Sequence, residues 1–146
     1  MKTMSTRILM LLSCALSLPL AGAAGCDTGG GDDDEGDEGA TMRPGDACLS
    51  CHGPSAEEAA FTVAGTVFND VDGTAGVDGA TVTLVDADGA KVKLSTNSAG
   101  NFYTGKALSF PVDVTISKGG DTVEMTAAGN GDCNSCHGDG NAVHLP

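Results

Sequence analysis

Two pentapeptides of this sequence combine thiols with an imidazole at a spacing that suits one kind of chemistry. Cys48–His52 and Cys133–His137 both have the pattern C-x-x-C-H and both continue into a glycine. Two thiols three positions apart can form thioethers with the two vinyl groups of a haem, and the adjacent histidine can bind its iron. We therefore expect two covalent c-type haems. The thioether-forming residues would be Cys48, Cys51, Cys133 and Cys136, and the axial ligands His52 and His137.

The six cysteines divide without remainder on this interpretation. Cys14 lies in a predicted export signal and Cys26 at its end, which leaves four for the haems. A thioredoxin-like dithiol would be expected near a βαβ pattern, which the sequence lacks. A Cys₄ zinc site can join two C-x-x-C pairs, but it does not explain a histidine after both pairs. Disulfides within the pairs would close loops too small to constrain the unfolded chain.

Each haem iron can take a sixth ligand, and the sequence offers three candidates. His144 is the one histidine outside the two motifs, and we expect it to bind an iron, with the choice of haem left open. Met42, before the first motif, is a second candidate, although an exposed loop methionine explains it equally well. Met125 is the third, although core packing in a strand explains it better. We expect one His/His haem and one His/Met or five-coordinate haem.

Residues 1–25 have the features of an export signal. Lys2 and Arg7 are followed by a short apolar run and then by small residues. The run is shorter than the roughly 20 apolar residues of a membrane-spanning helix, so we expect the signal to be removed.

The residues after the signal resemble the lipobox of bacterial lipoproteins. Ala24-Gly25-Cys26 fits that pattern, whereas Ala23 departs from the usual Leu or Val. The resemblance implies a lipid on Cys26 that anchors an exported chain in the bacterial cell envelope, at the periplasmic face or the outer membrane. Ordinary cleavage nearby, with Cys26 left as a free thiol, is the alternative.

The chain is acidic, with a formal net charge of -13. Removal of the signal takes two of the seven basic residues and none of the twenty acidic ones, which leaves five against twenty, or -15. Nucleic acid is therefore excluded as a natural partner, and a cationic partner is favoured. The acidity is densest in 27–39, so we expect 26–41 to be a flexible tether. A Ca²⁺ loop is the alternative, but the run lacks its ligand spacing.

Residues 61–128 have the texture of short antiparallel strands. Apolar and polar residues alternate between turn signals such as Asp-Gly and Gly-Gly. A mainly β fold is expected, a small antiparallel β-sandwich flanked by a first haem-binding segment at 42–60 and a second at 129–146. The six strands are expected near 62–68, 80–86, 91–96, 101–104, 111–117 and 121–127. Since an even number of alternating strands begins and ends at the same pole, both haem segments should meet there.

Three stretches of this region carry a family resemblance. Residues 63–68, 79–84 and 96–103 match, in order, the G-x-V, G-A-x-V-x-L and T-x-x-x-G-x-F stations of carboxypeptidase regulatory-like domains. The resemblance covers about half of the mature chain and implies a transthyretin-like sandwich. It implies a scaffold and no activity.

The expected function is electron transfer without substrate transformation, in a protein resembling the small multihaem cytochromes of bacterial envelopes. Expected partners are other redox proteins of the envelope, the membrane through the lipid, and further copies assembled into a haem chain. A haem enzyme or gas sensor with an open coordination site is the alternative. The sequence contains no Trp, and no group of Arg and His residues suited to peroxide activation is evident in it. A surface β-sandwich binding module would leave both haem motifs unexplained.

Overall fold

The computed structural model describes residues 39–56, 59–138 and 140–146. The predicted signal, Cys26 and most of the predicted tether lie outside these residues. Among the helices of the described residues, none is long and apolar enough to cross a membrane.

The described chain is mainly β, as predicted, with six strands and two short helical turns. All strand pairs are antiparallel. The sheets have the strand orders β1-β4 and β3-β2-β5-β6. The elements are α1 (Leu49–His52), β1 (Val63–Thr66), β2 (Thr81–Val85), β3 (Lys91–Ser95), β4 (Asn101–Thr104), β5 (Val112–Lys118), β6 (Asp121–Ala128) and a 3₁₀ turn (Cys133–Ser135).

The apolar residues that alternate along the strands form one core shared by both sheets. Val82 and Leu84 on β2 are fully buried, and Val114 and Ile116 face them from β5. Phe102 on β4 belongs to the same cluster. Burial of one face of each strand explains the period-2 pattern in the sequence.

The C-terminal segment lies along the side of β1 that β4 leaves open. Two parallel bridges mark its ends, Ala64 with Asp132 and Phe68 with His144. The Ala64 N–H donates to the Gly131 carbonyl at 2.9 Å, and the Phe68 N–H donates to the Val143 carbonyl at 2.8 Å. Between the bridges the segment leaves the strand and forms the second C-x-x-C-H motif. That motif is thus a loop held at one end by β1 and at the other by Phe68, two residues beyond the end of β1.

The prediction that Met125 packs in the core is wrong. Met125 pairs with Val114 but is 43% exposed. The reason is its position on β6, an edge strand that bonds to one neighbour and keeps most of its side chains in solvent.

Candidate functional site

The two C-x-x-C-H motifs adopt the same hydrogen-bonded turn. The N–H of His52 donates to the Cys48 carbonyl at 2.9 Å, and that of His137 donates to the Cys133 carbonyl at 3.0 Å. In each motif the serine hydroxyl donates at 2.6 Å to the carbonyl three residues earlier. One helical turn puts its first and fourth residues on the same side, which places the two cysteines of a motif next to each other.

The imidazoles of both motifs are anchored through the same atom. Nδ1 of His52 lies 3.2 Å from the Ala59 carbonyl oxygen, and Nδ1 of His137 lies 3.3 Å from the Asn141 carbonyl oxygen. A neutral imidazole that donates its Nδ1 proton to a carbonyl keeps its lone pair on Nε2. Metal-binding histidines use this arrangement, in which the second nitrogen fixes the tautomer and the ring orientation.

The surroundings of the two imidazoles differ. The His52 ring stacks on Phe61 at 4.6 Å between centroids, and Phe61 stacks on Tyr103 at 4.5 Å. His137 lies beside a cleft of about 110 Å³. Its walls combine apolar side chains, carboxylates and backbone, with contributions from Phe68, Ala142, Asp46, Asp72, Gly45 and Gly73.

The two motif segments contact each other. The link is Asn134, the second residue of the second motif. Its Nδ2 donates to the Asp46 carbonyl at 2.8 Å and lies 3.8 Å from the Cys48 sulfur. Its Oδ1 accepts from the Thr66 N–H at 3.0 Å and so replaces the backbone acceptor that a continuous third strand would supply.

A buried polar network fixes this contact to the sheet. The Thr66 hydroxyl donates to Oδ1 of Asn101 at 2.8 Å and accepts from the Gly45 N–H at 3.0 Å and from Nδ2 of Asn134 at 3.1 Å. A hydroxyl offers one donor and two acceptor positions, so every hydrogen-bonding position of the Thr66 hydroxyl is occupied. Asn101 continues the network through Nδ2, which donates to the Met42 carbonyl at 2.9 Å. Sequence reasoning missed all three side chains of this network. The signal available was an asparagine in the second motif where the first has Leu49.

The cysteines are not in equivalent states. Cys48, Cys133 and Cys136 are free thiols, whereas Cys51 is disulfide-bonded. Burial raises the pKa of the Cys48 thiol to about 11 and that of Cys133 to about 12, and the nearby Asp132 charge adds to both shifts. These thiols are protonated at neutral pH, which disfavours a nucleophilic dithiol and a thiolate zinc site. Within the described residues, no group of three or more His, Cys, Asp or Glu side chains is arranged to hold a metal ion.

Asp132 lies between the two motifs. Burial raises the pKa of its carboxyl, and the backbone N–H groups of Leu49, Ser135 and Cys48 oppose that shift. Its Oδ1 is buried and has no hydrogen-bond partner among the described residues. The carboxylate thus adds negative charge at the point where the motifs meet.

The candidate sixth ligands occupy three different places. His144 is exposed on the C-terminal segment, with its backbone beside Phe68. Met42 is half-buried, and its backbone carbonyl accepts a hydrogen bond from Nδ2 of Asn101. Met125 lies in the middle of edge strand β6.

The residues around the motifs fit a haem that lies across the surface. The cleft beside His137 is far smaller than the roughly 300–1,000 Å³ of pockets that enclose a ligand of drug size. Phe68 and Ala142 give it apolar surface beside the carboxylates of Asp46 and Asp72, and two of its walls are glycines. A Cβ on Gly45 or Gly73 would lie 3.4 or 3.7 Å from the Phe68 ring and would narrow the space. An open, flat cradle next to an anchored imidazole suits one edge of a planar group.

The region where the two motifs meet therefore combines two matching turns, two imidazoles with Nε2 available as a ligand, and three free thiols. Thiols and an imidazole in this arrangement are the donor types that covalent haem attachment uses. The chain was also compared with known proteins. No family model, no curated protein and no solved structure matches it.

Proposed function

We propose that this protein is a dihaem c-type cytochrome that transfers electrons at the bacterial cell envelope and transforms no substrate. The observation that carries the proposal is the repeated geometry of the motifs, in which turn and Nδ1 anchor recur in both copies. When bound, each haem supplies an iron that takes up and releases a single electron.

In this proposal, the chain's own residues attach, orient and separate the two groups. Cys48, Cys51, Cys133 and Cys136 would hold the two groups through thioether bonds, and addition of S–H across a vinyl group would need no oxidant and no leaving group. His52 and His137 would bind iron through Nε2. The Asn134 contact with Asp46 and Cys48 supports a fixed separation of the two sites.

Attachment at the first motif has a chemical prerequisite. Cys51 is disulfide-bonded, and a thioether needs its thiol. A dithiol reductant would supply the two electrons and two protons that open this disulfide before attachment. Haem on the first motif and a disulfide at Cys51 are therefore mutually exclusive, which makes the state of Cys51 a direct test.

The β domain is proposed to be a carboxypeptidase regulatory-like scaffold. Its supporting feature is the pairing of β1 with β4, in which Gly65 opposes Phe102. A Cβ at position 65 would lie 2.9 Å from the Phe102 ring and 2.8 Å from Cβ of Cys133. The absence of a side chain at this glycine of the G-x-V station thus leaves room for the Phe102 ring of the core and for Cys133 of the second motif.

The remaining parts of the proposal concern location and partners. A lipid on Cys26 would anchor the chain, and the acidic residues that follow would repel each other and extend the tether. Partners are proposed to be envelope redox proteins with cationic surfaces, whose encounter added salt would slow, because the mature chain carries a net charge of -15. Exposed haem edges would also permit assembly of copies.

Removing the motifs one at a time tests the proposal. We expect Cys48→Ala with Cys51→Ala, and separately Cys133→Ala with Cys136→Ala, to leave one haem per chain each. The measurement is the pyridine haemochrome spectrum with intact mass. Ser50→Ala with Ser135→Ala is the matched control, since it alters both motifs but no ligand, and it should keep two haems. Equal haem content in all three variants would contradict attachment at these cysteines.

A further inference from the structure

His144 lies on the same face of the β1 layer as the cleft beside His137. It forms a parallel bridge with Phe68. Residues paired directly across neighbouring strands project to the same face. The Phe68 ring lines the cleft together with His137, so His144 belongs to the cleft face.

The neighbours of His144 support this placement through their alternation. Ala142, two residues earlier, lines the cleft. Val143 and Leu145, the residues on either side of His144, pack with the hydrophobic core. A period of two along an extended segment puts Ala142 and His144 on one face and the core residues on the other.

The tail that carries His144 is held in place although it lies at the end of the chain. Besides the Phe68 N–H bond to Val143, the Leu145 N–H donates to the Phe68 carbonyl at 3.3 Å. Nδ1 of His144 lies 3.0 Å from the Ala142 carbonyl oxygen. This is the same anchor that His52 and His137 use, and it leaves the lone pair on Nε2.

His52 belongs to the other flank of β1. Its ring stacks on Phe61, which stacks on Tyr103 of β4. The C-terminal segment bonds to the opposite edge of β1 through Ala64 and Thr66, and then to Phe68 just beyond the strand. His144 therefore shares its flank with the second motif and not with His52.

We propose that His144 is the sixth ligand of the iron that His137 binds. This assignment rests on the proposed function and deepens it, because it makes the second haem His/His and leaves the first without a histidine as its sixth ligand. The two haems then differ in ligation: the second is six-coordinate and low-spin, and the first either is five-coordinate or takes Met42.

The test compares His144→Ala in two single-haem parents. The parent with Cys48→Ala and Cys51→Ala keeps the second haem. There, we expect His144→Ala to convert the ferric spectrum from low-spin to high-spin and to create CO binding in the ferrous form. His144→Met should restore a six-coordinate spectrum with a higher midpoint potential. The parent with Cys133→Ala and Cys136→Ala keeps the first haem, and there His144→Ala should change neither spectrum nor potential.

The outcomes separate the assignment from the function it rests on. A spectral change only in the parent that keeps the first haem would show that His144 binds the iron of the first haem, which would overturn the assignment. No change in either parent would show that His144 binds neither iron. Haem-free parents would overturn the proposed function as well. If a single-haem parent does not fold, the same substitution can be measured in the dihaem protein. There, His144→Ala should convert one of the two haems from low-spin to high-spin, and a spectrum unchanged for both haems would overturn the assignment.

Discussion

Thr66→Val is expected to lower the free energy of unfolding by about 3 kcal/mol, because three partners, two of them buried, lose the hydroxyl that joins them. Valine keeps the shape of the side chain but removes Oγ1, which bonds to Gly45, Asn101 and Asn134. Thr66 and Asn134 are only 1% and 5% exposed, so water does not replace the lost bonds. Urea unfolding measures the change.

The matched control for this substitution is Thr122→Val, on the exposed start of β6. A surface change of this kind is expected to alter stability by no more than about 0.5 kcal/mol. The Thr66 variant should also exchange the amide hydrogens of both motif turns faster, since Asn134 joins the turns to β1. Equal stabilities of the Thr66 and Thr122 variants would show the network to be dispensable.

Gly131→Ala is expected to cost at least about 2 kcal/mol, because it overpacks a buried backbone contact. A Cβ at this position would lie 1.8 Å from the Thr62 carbonyl oxygen. The carbonyl of Gly131 also accepts the Ala64 N–H, so relief of the clash moves the start of the second motif away from β1. The variant should therefore lose stability and the docking of the second motif together, which urea unfolding and hydrogen exchange at Ala64 report.

Gly129→Ala, two residues earlier, is the control for this prediction. A Cβ there meets nothing within 4 Å. Its expected effect on stability is within about 0.5 kcal/mol. If Gly131→Ala behaved like Gly129→Ala, close approach of the second motif to β1 would not be required for the fold.

The strands could be predicted from sequence because each buries one face. Thr81–Val85 and Val112–Lys118 alternate as expected and pair with each other. Strand parity predicted that the two motifs would meet, and the contact that the structure shows is made by the Asn134 side chain. Met125 was misplaced because alternation identifies a strand but does not reveal that it lies at a sheet edge.

The site was predictable only where it is local. The spacing C-x-x-C-H indicates one turn with its thiols adjacent, and both motifs form that turn. The Asn134 contacts with Thr66 join residues 68 positions apart, and no local pattern indicates such a pair.

The most direct test of the central claim is the haem content of the full chain after maturation in a host with c-type haem assembly machinery. The account predicts two covalent haems per chain by pyridine haemochrome, and an intact mass that contains both haems and a diacylglyceryl-sized increment on Cys26. A chain that carries no haem and keeps zinc or disulfides on its four motif cysteines would contradict the account.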